Sequence, residues 1–354
     1  MNWAVQLRHI FMKYTPYNFI CIILILSRTV IVLSSSNWIF LWAGIELNLL
    51  SFIPLIMLAN SNQETEAAIK YFLAQALGSR IILISSLSLW FSSSTPINYM
   101  SALLFISLLL KIGIAPCHLW YPSVIVSISW LSCLILSTWQ KLAPLAIISF
   151  IITRTFSNAI LLLAAINALI GGIIGINQVH LRSIMAYSSI THIGWILSLA
   201  AINKLIPSIL YFIIYSMLIS PIFFIFNKFS SSTRLDINKL ISKAPILQII
   251  IPLLLLSLGG LPPLSGFIPK WMTIEILANS NPYILIILIT GAIINLYFYL
   301  NISFNIILTP TLSETPTSKF YYLSSKFIVP ISSILLFSVP IFILIYAMTI
   351  LNQP

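Results

Sequence analysis

Charge is what this sequence has least of. Of its 354 residues, 17 are Lys or Arg and 6 are Asp or Glu, so 6% are charged, where a soluble domain carries about 25%. No water-facing surface can be assembled from so few charges. With 60% of the chain drawn from hydrophobic types, the surrounding solvent must be lipid. The net charge of +11 does not indicate nucleic-acid binding, because 17 basic residues thinly spread make no phosphate-binding face. Cysteine is scarce as well. Cys21, Cys117 and Cys133 form no C-x-x-C pair, which excludes a disulfide framework and a thiolate metal site. The four histidines are scattered without zinc spacing, so no metal is expected. There is neither a ligand set for an iron–sulfur cluster nor a glycine loop to cradle phosphate. The first residues carry Arg8 and Lys13 but no clean apolar core or small-residue cleavage site, so no removable signal peptide is read there.

What is present is long hydrophobic runs. Stretches able to cross about 30 Å of hydrocarbon fall near 17–34, 37–59, 66–91, 98–118, 126–152, 158–176, 183–202, 206–227, 246–279, 283–307 and 327–349. They predict an all-α integral membrane protein of about eleven transmembrane helices, in one polytopic domain over residues 1–354. The alternation of a β-barrel is nowhere seen. Two spans are irregular: the fourth carries Gly113 and Pro116 with Pro122 close behind, and the ninth, too long for one straight crossing, carries Gly259 to Gly266 with two prolines. Proline removes an intrahelical donor and clashes with the preceding turn, so both helices are expected to break at membrane depth. Breaks there survive only where protein or a water-filled cavity satisfies the freed backbone. Gly113-Ile-Ala-Pro-Cys-His-Leu-Trp120 and Gly260-Leu-Pro-Pro-Leu-Ser-Gly-Phe267 also share a glycine, an aliphatic, a proline and an aromatic in register. Matching interrupted helices in two halves point to a transporter built from internal repeats.

Ionisable residues inside the spans carry the functional signal. Glu46 lies eight residues past Trp38, about 12 Å along a helix and so near mid-membrane. Lys111 precedes the first break, Lys141 lies inside the fifth span, and Lys270 follows the second break. Each lysine costs roughly 2.5–3.5 kcal/mol at a helix centre on insertion scales, a cost that packing alone does not justify. Blander alternatives stand beside this reading. Lysines near helix ends snorkel to the headgroups. Glu46 is a possible structural partner for a buried lysine. Lys70, four residues after Glu66, suits a surface ion pair. Arg80 suits a bond to a neighbouring carbonyl, His118 suits freed backbone in the first break, and Arg28 needs a partner that the sequence does not name. His192, among hydroxyl residues in Tyr-Ser-Ser-Ile-Thr-His, suits a hydrated relay. Burial disfavours a charged lysine and a nearby carboxylate favours it, so a row of buried lysines can load and release protons, which arginine cannot. The implied chemistry is proton relay.

Several motifs occur in order: Gly44-Ile-Glu-Leu-Asn48, Thr65-Glu-Ala-Ala-Ile-Lys-Tyr-Phe72, Lys111 to Trp120, Thr138-Trp-Gln-Lys-Leu-Ala-Pro144, Gly175-Ile-Asn-Gln, Ala186 to Trp195 and Leu258 to Trp271. Together they strongly resemble the antiporter-like membrane subunits of NADH–ubiquinone oxidoreductase, respiratory complex I, over about residues 37–300. That family is related to cation/proton antiporters of the Mrp type. The resemblance implies two inverted five-helix repeats, each with one broken helix. It implies a glutamate at Glu46 facing a key lysine at Lys111, a central bridging lysine at Lys141 and a terminal lysine at Lys270. Lys70 matches a further family lysine, and His192 a histidine of a central hydrophilic axis. It implies no cofactor in this chain, with NADH, FMN, iron–sulfur clusters and ubiquinone handled by partner subunits. The implied partners are other complex I subunits, neighbouring antiporter-like subunits among them, and membrane lipids. The implied location is the mitochondrial inner membrane. The chain departs from the pattern after Trp120, where Tyr121-Pro-Ser-Val-Ile-Val126 is apolar, and beyond residue 305 it matches only as a hydrophobic span.

Two other readings compete. A free-standing Mrp-type antiporter would purify alone and exchange ions; a receptor or channel would not need eleven spans and a lysine row. For orientation, Arg8, Lys13, Arg182, Lys228, Arg234, Lys239, Lys243, Lys319 and Lys326 collect on the N-terminal side, against Arg154 and Lys204 opposite. The positive-inside rule then puts the N-terminus in the matrix and, with an odd number of spans, the C-terminus in the intermembrane space.

Overall fold

The computed structural model describes residues 16–58, 61–91, 97–151, 156–229, 247–262 and 264–308. The expected last span at 327–349 and most loop charges used for orientation lie outside them. Among the described residues the chain is helical, with no β-strand. Seven helices are long and apolar enough to cross a membrane, and shorter apolar helices accompany them. The chain forms two compact units, Met1–Ile151 and Ile152–Pro354.

The first unit contains α1 (Pro16–Ser34), α2 (Trp38–Ile56), α3 (Asn62–Phe91), α4 (Ile97–Ile112), α5 (Trp120–Ser127), α6 (Trp130–Ser137) and α7 (Trp139–Ile151). α2 packs between α1 and α3, and α3 between α2 and α4, with α7 closing on α1 and α4. Ser61 caps the start of α3: its Oγ accepts from the Glu64 N–H at 3.3 Å, in the Ser-x-x-Glu pattern that marks a helix start. α4 stops where Gly113 turns to φ +74°. The N–H groups of Gly113 and Ile114 both bond Leu109 O, at 3.0 and 3.3 Å, the left-handed closure for which glycine is suited.

Two boundaries differ from expectation. Residues 119–125, read as a gap, belong largely to α5, and the span expected over 126–152, present as Trp130–Ser149, is interrupted at Thr138, which divides it into α6 and α7. Ser129 opens α6 as an N-cap by accepting from the Ser132 N–H. Thr138 disturbs the ladder because its hydroxyl bonds Leu134 O at 2.7 Å, the back-bonding that bends helices. Pro144 then leaves the Gln140 carbonyl without its helical donor.

The second unit contains α8 (Ser157–Ile176), α9 (Leu181–Ala201), α10 (Leu205–Phe229), α11 (Leu247–Gly259), α12 (Phe267–Ser280) and α13 (Pro282–Leu308). α9 is buried along nearly all its length and packs on α8, α10, α12 and α13. Small residues permit this. A Cβ on Gly194 would lie 2.7 Å from Ala164 O, and one on Gly291 2.7 Å from Ala168 O, so the backbones approach as membrane helices do where small residues meet. The expected second break is present. Gly260 turns to φ +81°, and Leu261 N–H reaches back to Leu256 O at 3.3 Å, the same closure as at Gly113. Gly266 then passes so near α11 that a Cβ there would collide with Ser257 O at 1.7 Å.

Candidate functional site

The break after α4 organises the first cluster. Helix termini leave carbonyls unsatisfied, and here two side chains meet them: Trp120 Nε1 donates to Leu110 O at 2.9 Å and Gln75 Nε2 to Lys111 O at 3.0 Å. The last turn of α4 is thereby fixed to α3 and α5, which holds Lys111 inside the unit, 4% exposed. Gly78 makes room for its stem, since a Cβ there would stand 3.0 Å from Lys111 Cγ. Lys111 Nζ makes no hydrogen bond among the described residues.

Lys141 enters the same space from α7. It is 2% exposed, and its Nζ lies 3.9 Å from the ring centroid of the buried Tyr121. Lys111 and Lys141 line one cavity with Tyr71, Gln75, Trp120, Tyr121 and Gln140, whose free space of about 10 Å³ matches what one water molecule requires. Glu46 is half-buried on α2 and forms no ion pair with Lys111. Two residues further on, Asn48 and Gln140 exchange amide hydrogen bonds of 2.9 and 3.3 Å. They tie the helix of Glu46 to the helix of Lys141.

The second unit has its own cluster at its own break. Lys270, in the first turn of α12 and 6% exposed, donates from Nζ to Gly259 O at 2.6 Å. A lysine there satisfies a terminal carbonyl of α11 and complements the negative end of its dipole. The bare Gly260 makes this possible, because a Cβ would lie 2.7 Å from Lys270 Cδ. His192, buried at mid-α9, faces Tyr211 Oη at 3.1 Å through Nδ1, and its ring centroid is 4.9 Å from that of Tyr215. Tyr299 of α13 is also buried. Asn295 Nδ2 bonds Thr191 Oγ1 at 2.8 Å beside this group.

Of the residues singled out from sequence, Glu46, Lys111 and Lys141 come together in the first unit, while Lys270 and His192 sit in the second. Lys70 is exposed and paired with Glu66, as their spacing allows. Arg80 does not hold a carbonyl: its side chain is exposed and makes no hydrogen bond or ion pair among the described residues. Sequence reasoning missed Gln75, Tyr121, Gln140, Tyr211 and Tyr215 as site residues. A glutamine within an apolar run was the available signal for the first; Gln140 stood beside Lys141. Among the described residues no three His, Cys, Asp or Glu side chains gather as a metal site would need.

A helical membrane chain with lysines buried beside interrupted helices belongs to the class of ion-translocating carriers. Comparison narrows the class. Residues 35–295 match the family described as NADH:quinone oxidoreductase/Mrp antiporter, transmembrane. NADH-ubiquinone oxidoreductase chain 2 of Lumbricus terrestris is 49% identical over 325 residues, 91% of this chain and 97% of that protein. The Bos taurus protein of the same name is 41% identical over 302 residues, 83% of this chain and 87% of that one. Among solved structures, a chain of respiratory complex I from Thermus thermophilus with bound aureothin matches with a TM-score of 0.80 at 22% identity, over 92% of this chain and 79% of that one. A chain of the Mrp complex from Dietzia sp. DQ12-45-1b matches with a TM-score of 0.72 at 18% identity, over 84% and 61%. These two share the fold. The chain belongs to the NADH:quinone oxidoreductase/Mrp antiporter transmembrane family, within its NADH-ubiquinone oxidoreductase chain 2 branch.

Proposed function

We propose that the chain is a proton-translocating, antiporter-like membrane subunit of respiratory complex I in the mitochondrial inner membrane, assembled beside other antiporter-like subunits. In this reading NADH oxidation, the FMN and iron–sulfur relay and ubiquinone reduction belong to partner subunits, and this chain, holding no redox centre, answers with proton transfer. The observation that carries the reading is the shared cavity of Lys111 and Lys141, with the half-buried Glu46 carboxylate on α2, the helix that Asn48 ties to that of Lys141. Two ammonium groups facing one small cavity repel each other, so the pair holds one mobile proton better than two. A change in the distance of Glu46 biases that proton toward or away from Lys111. Lys270 and the His192–Tyr211 pair supply titratable groups of the same kind within the second unit, and Lys70 is a secondary member at the surface. The inverted-repeat arrangement is supported by the identical glycine closures at Gly113 and Gly260.

Lys141 gives the test. Lys141→Met keeps length and removes the titrating amine; the expected complex assembles, but NADH-driven quinone reduction and proton pumping both fall. Lys141→Arg is expected to fail too, since arginine does not give up its proton in a protein. Normal pumping per electron in the Arg variant, with intact assembly on a native gel, would overturn the relay. Recovery of the chain alone with cation exchange, rather than in a large respiratory assembly, would favour a free-standing antiporter.

A further inference from the structure

Arg80 sits where a cation is hardest to place. The polar start of α3 runs to the exposed Lys70–Glu66 pair. The mainly apolar part follows from Tyr71 to Phe91, about 30 Å at 1.5 Å per residue, the thickness of the hydrocarbon core. Arg80 lies near its middle. A second observation fixes the same depth: Gln75 bonds Lys111 O, and Gly78 lies against the Lys111 stem, so this part of α3 is level with the Lys111 cavity. Gly78 and Arg80, two residues apart, point to opposite faces of the helix. Gly78 faces inward, and Arg80 stands on an outward stripe with Ile69, Leu73, Leu77 and Ile84, each 53–60% exposed. Arginine cannot shed its charge in a protein, and headgroup phosphates lie about 15 Å away at half the core thickness. Among the described residues no carboxylate pairs with Arg80.

We propose that the outward face of α3 between Ile69 and Ile84 is a subunit interface, covered by a transmembrane helix of a neighbouring membrane subunit that presents an Asp or Glu carboxylate to Arg80 at mid-membrane depth. The aliphatic residues supply the packing surface, and the guanidinium supplies a bidentate partner for one acid. Because intramembrane charges are met by partners, the acid fixes the register of docking. The pair also sets a neighbour's carboxylate across one helix from Lys111. This inference rests on the proposed membership of a respiratory assembly.

Cryo-electron microscopy of the intact complex from the native membrane tests it, and recovery of the chain in such a complex is a separate result that tests membership first. The expected map shows a carboxylate of another subunit within 4 Å of the Arg80 guanidinium and a helix over Leu73 and Leu77. Acyl chains, a lipid phosphate or a carboxylate of this same chain around Arg80 would each overturn the proposal. Two variants give a second measurement. Arg80→Glu sets like charges face to face and should cut assembled complex on a native gel by about tenfold or more. Arg80→Leu inserts more readily into lipid but strands the partner acid, so the assembled complex should dissociate at lower detergent. Unchanged assembly and detergent resistance in Arg80→Leu would refute the interface.

Discussion

Tyr121 and Lys141 show how much a single ring can set at the residue scale. An ammonium over an aromatic face gains about 2 kcal/mol or more when the site is dry, and Lys141 Nζ stands 3.9 Å from the Tyr121 centroid. Tyr121→Phe keeps that face and should retain most pumping. Tyr121→Leu removes it and should lower protons pumped per NADH in sealed vesicles, with assembly intact. Equal pumping in the two variants would show that the ring does not hold the lysine. Glu46→Gln should also assemble. Glu46 is half-buried and makes no contact pair with Lys111, so its loss should cost less than the about 3–5 kcal/mol of breaking a buried contact pair. Quinone reduction that stays at the parental rate would assign Glu46 a structural role only. The lysines and the glutamate were legible in the sequence because a charge in an apolar run is conspicuous. Tyr121 and Gln140 were not, because an aromatic or amide in the first turn of a helix is ordinary until folding turns it toward a lysine, whereas Gln75, in the middle of α3, carried a signal that went unread.

At the scale of elements, adjacent glycines at the second break separate space from backbone conformation. A Cβ on Gly259 meets nothing nearer than 3.7 Å, so Gly259→Ala should leave assembly unchanged. Gly260→Ala places an L residue at φ +81°, which costs about 1–2 kcal/mol in the left-handed region, and pushes a methyl into the Lys270 stem. Assembly yield on native gels and thermal stability of the complex should fall for Gly260→Ala alone. Identical behaviour of the two would remove the glycine closure as the cause. Both breaks were readable because glycine and proline act on their own backbone, wherever the rest of the chain lies. The divided helix at Thr138 was not. A threonine hydroxyl either points outward or bonds the preceding turn, and the choice depends on packing that no local pattern encodes.

Orientation belongs to the whole molecule, and α9 gives it a fixed rule. Arg182 lies at its start and Lys204 just past its end at Ala201, about 30 Å apart along the helix, so the two face opposite sides of the bilayer. The sequence assigns Arg182 to the side that collects nine basic residues and Lys204 to the side that collects two. Positive charge is retained on the side from which a span is inserted, so the start of α9 and the basic stretch Arg234–Lys243, which lies outside the described residues, should face the matrix. A protease added to intact mitoplasts should leave that stretch uncut, and should cut it once the membrane is opened with detergent. Cleavage there in sealed mitoplasts would invert the topology. It would also exchange the aqueous sides assigned to α9, while leaving the lysine cavity, which lies within the first unit, as it stands.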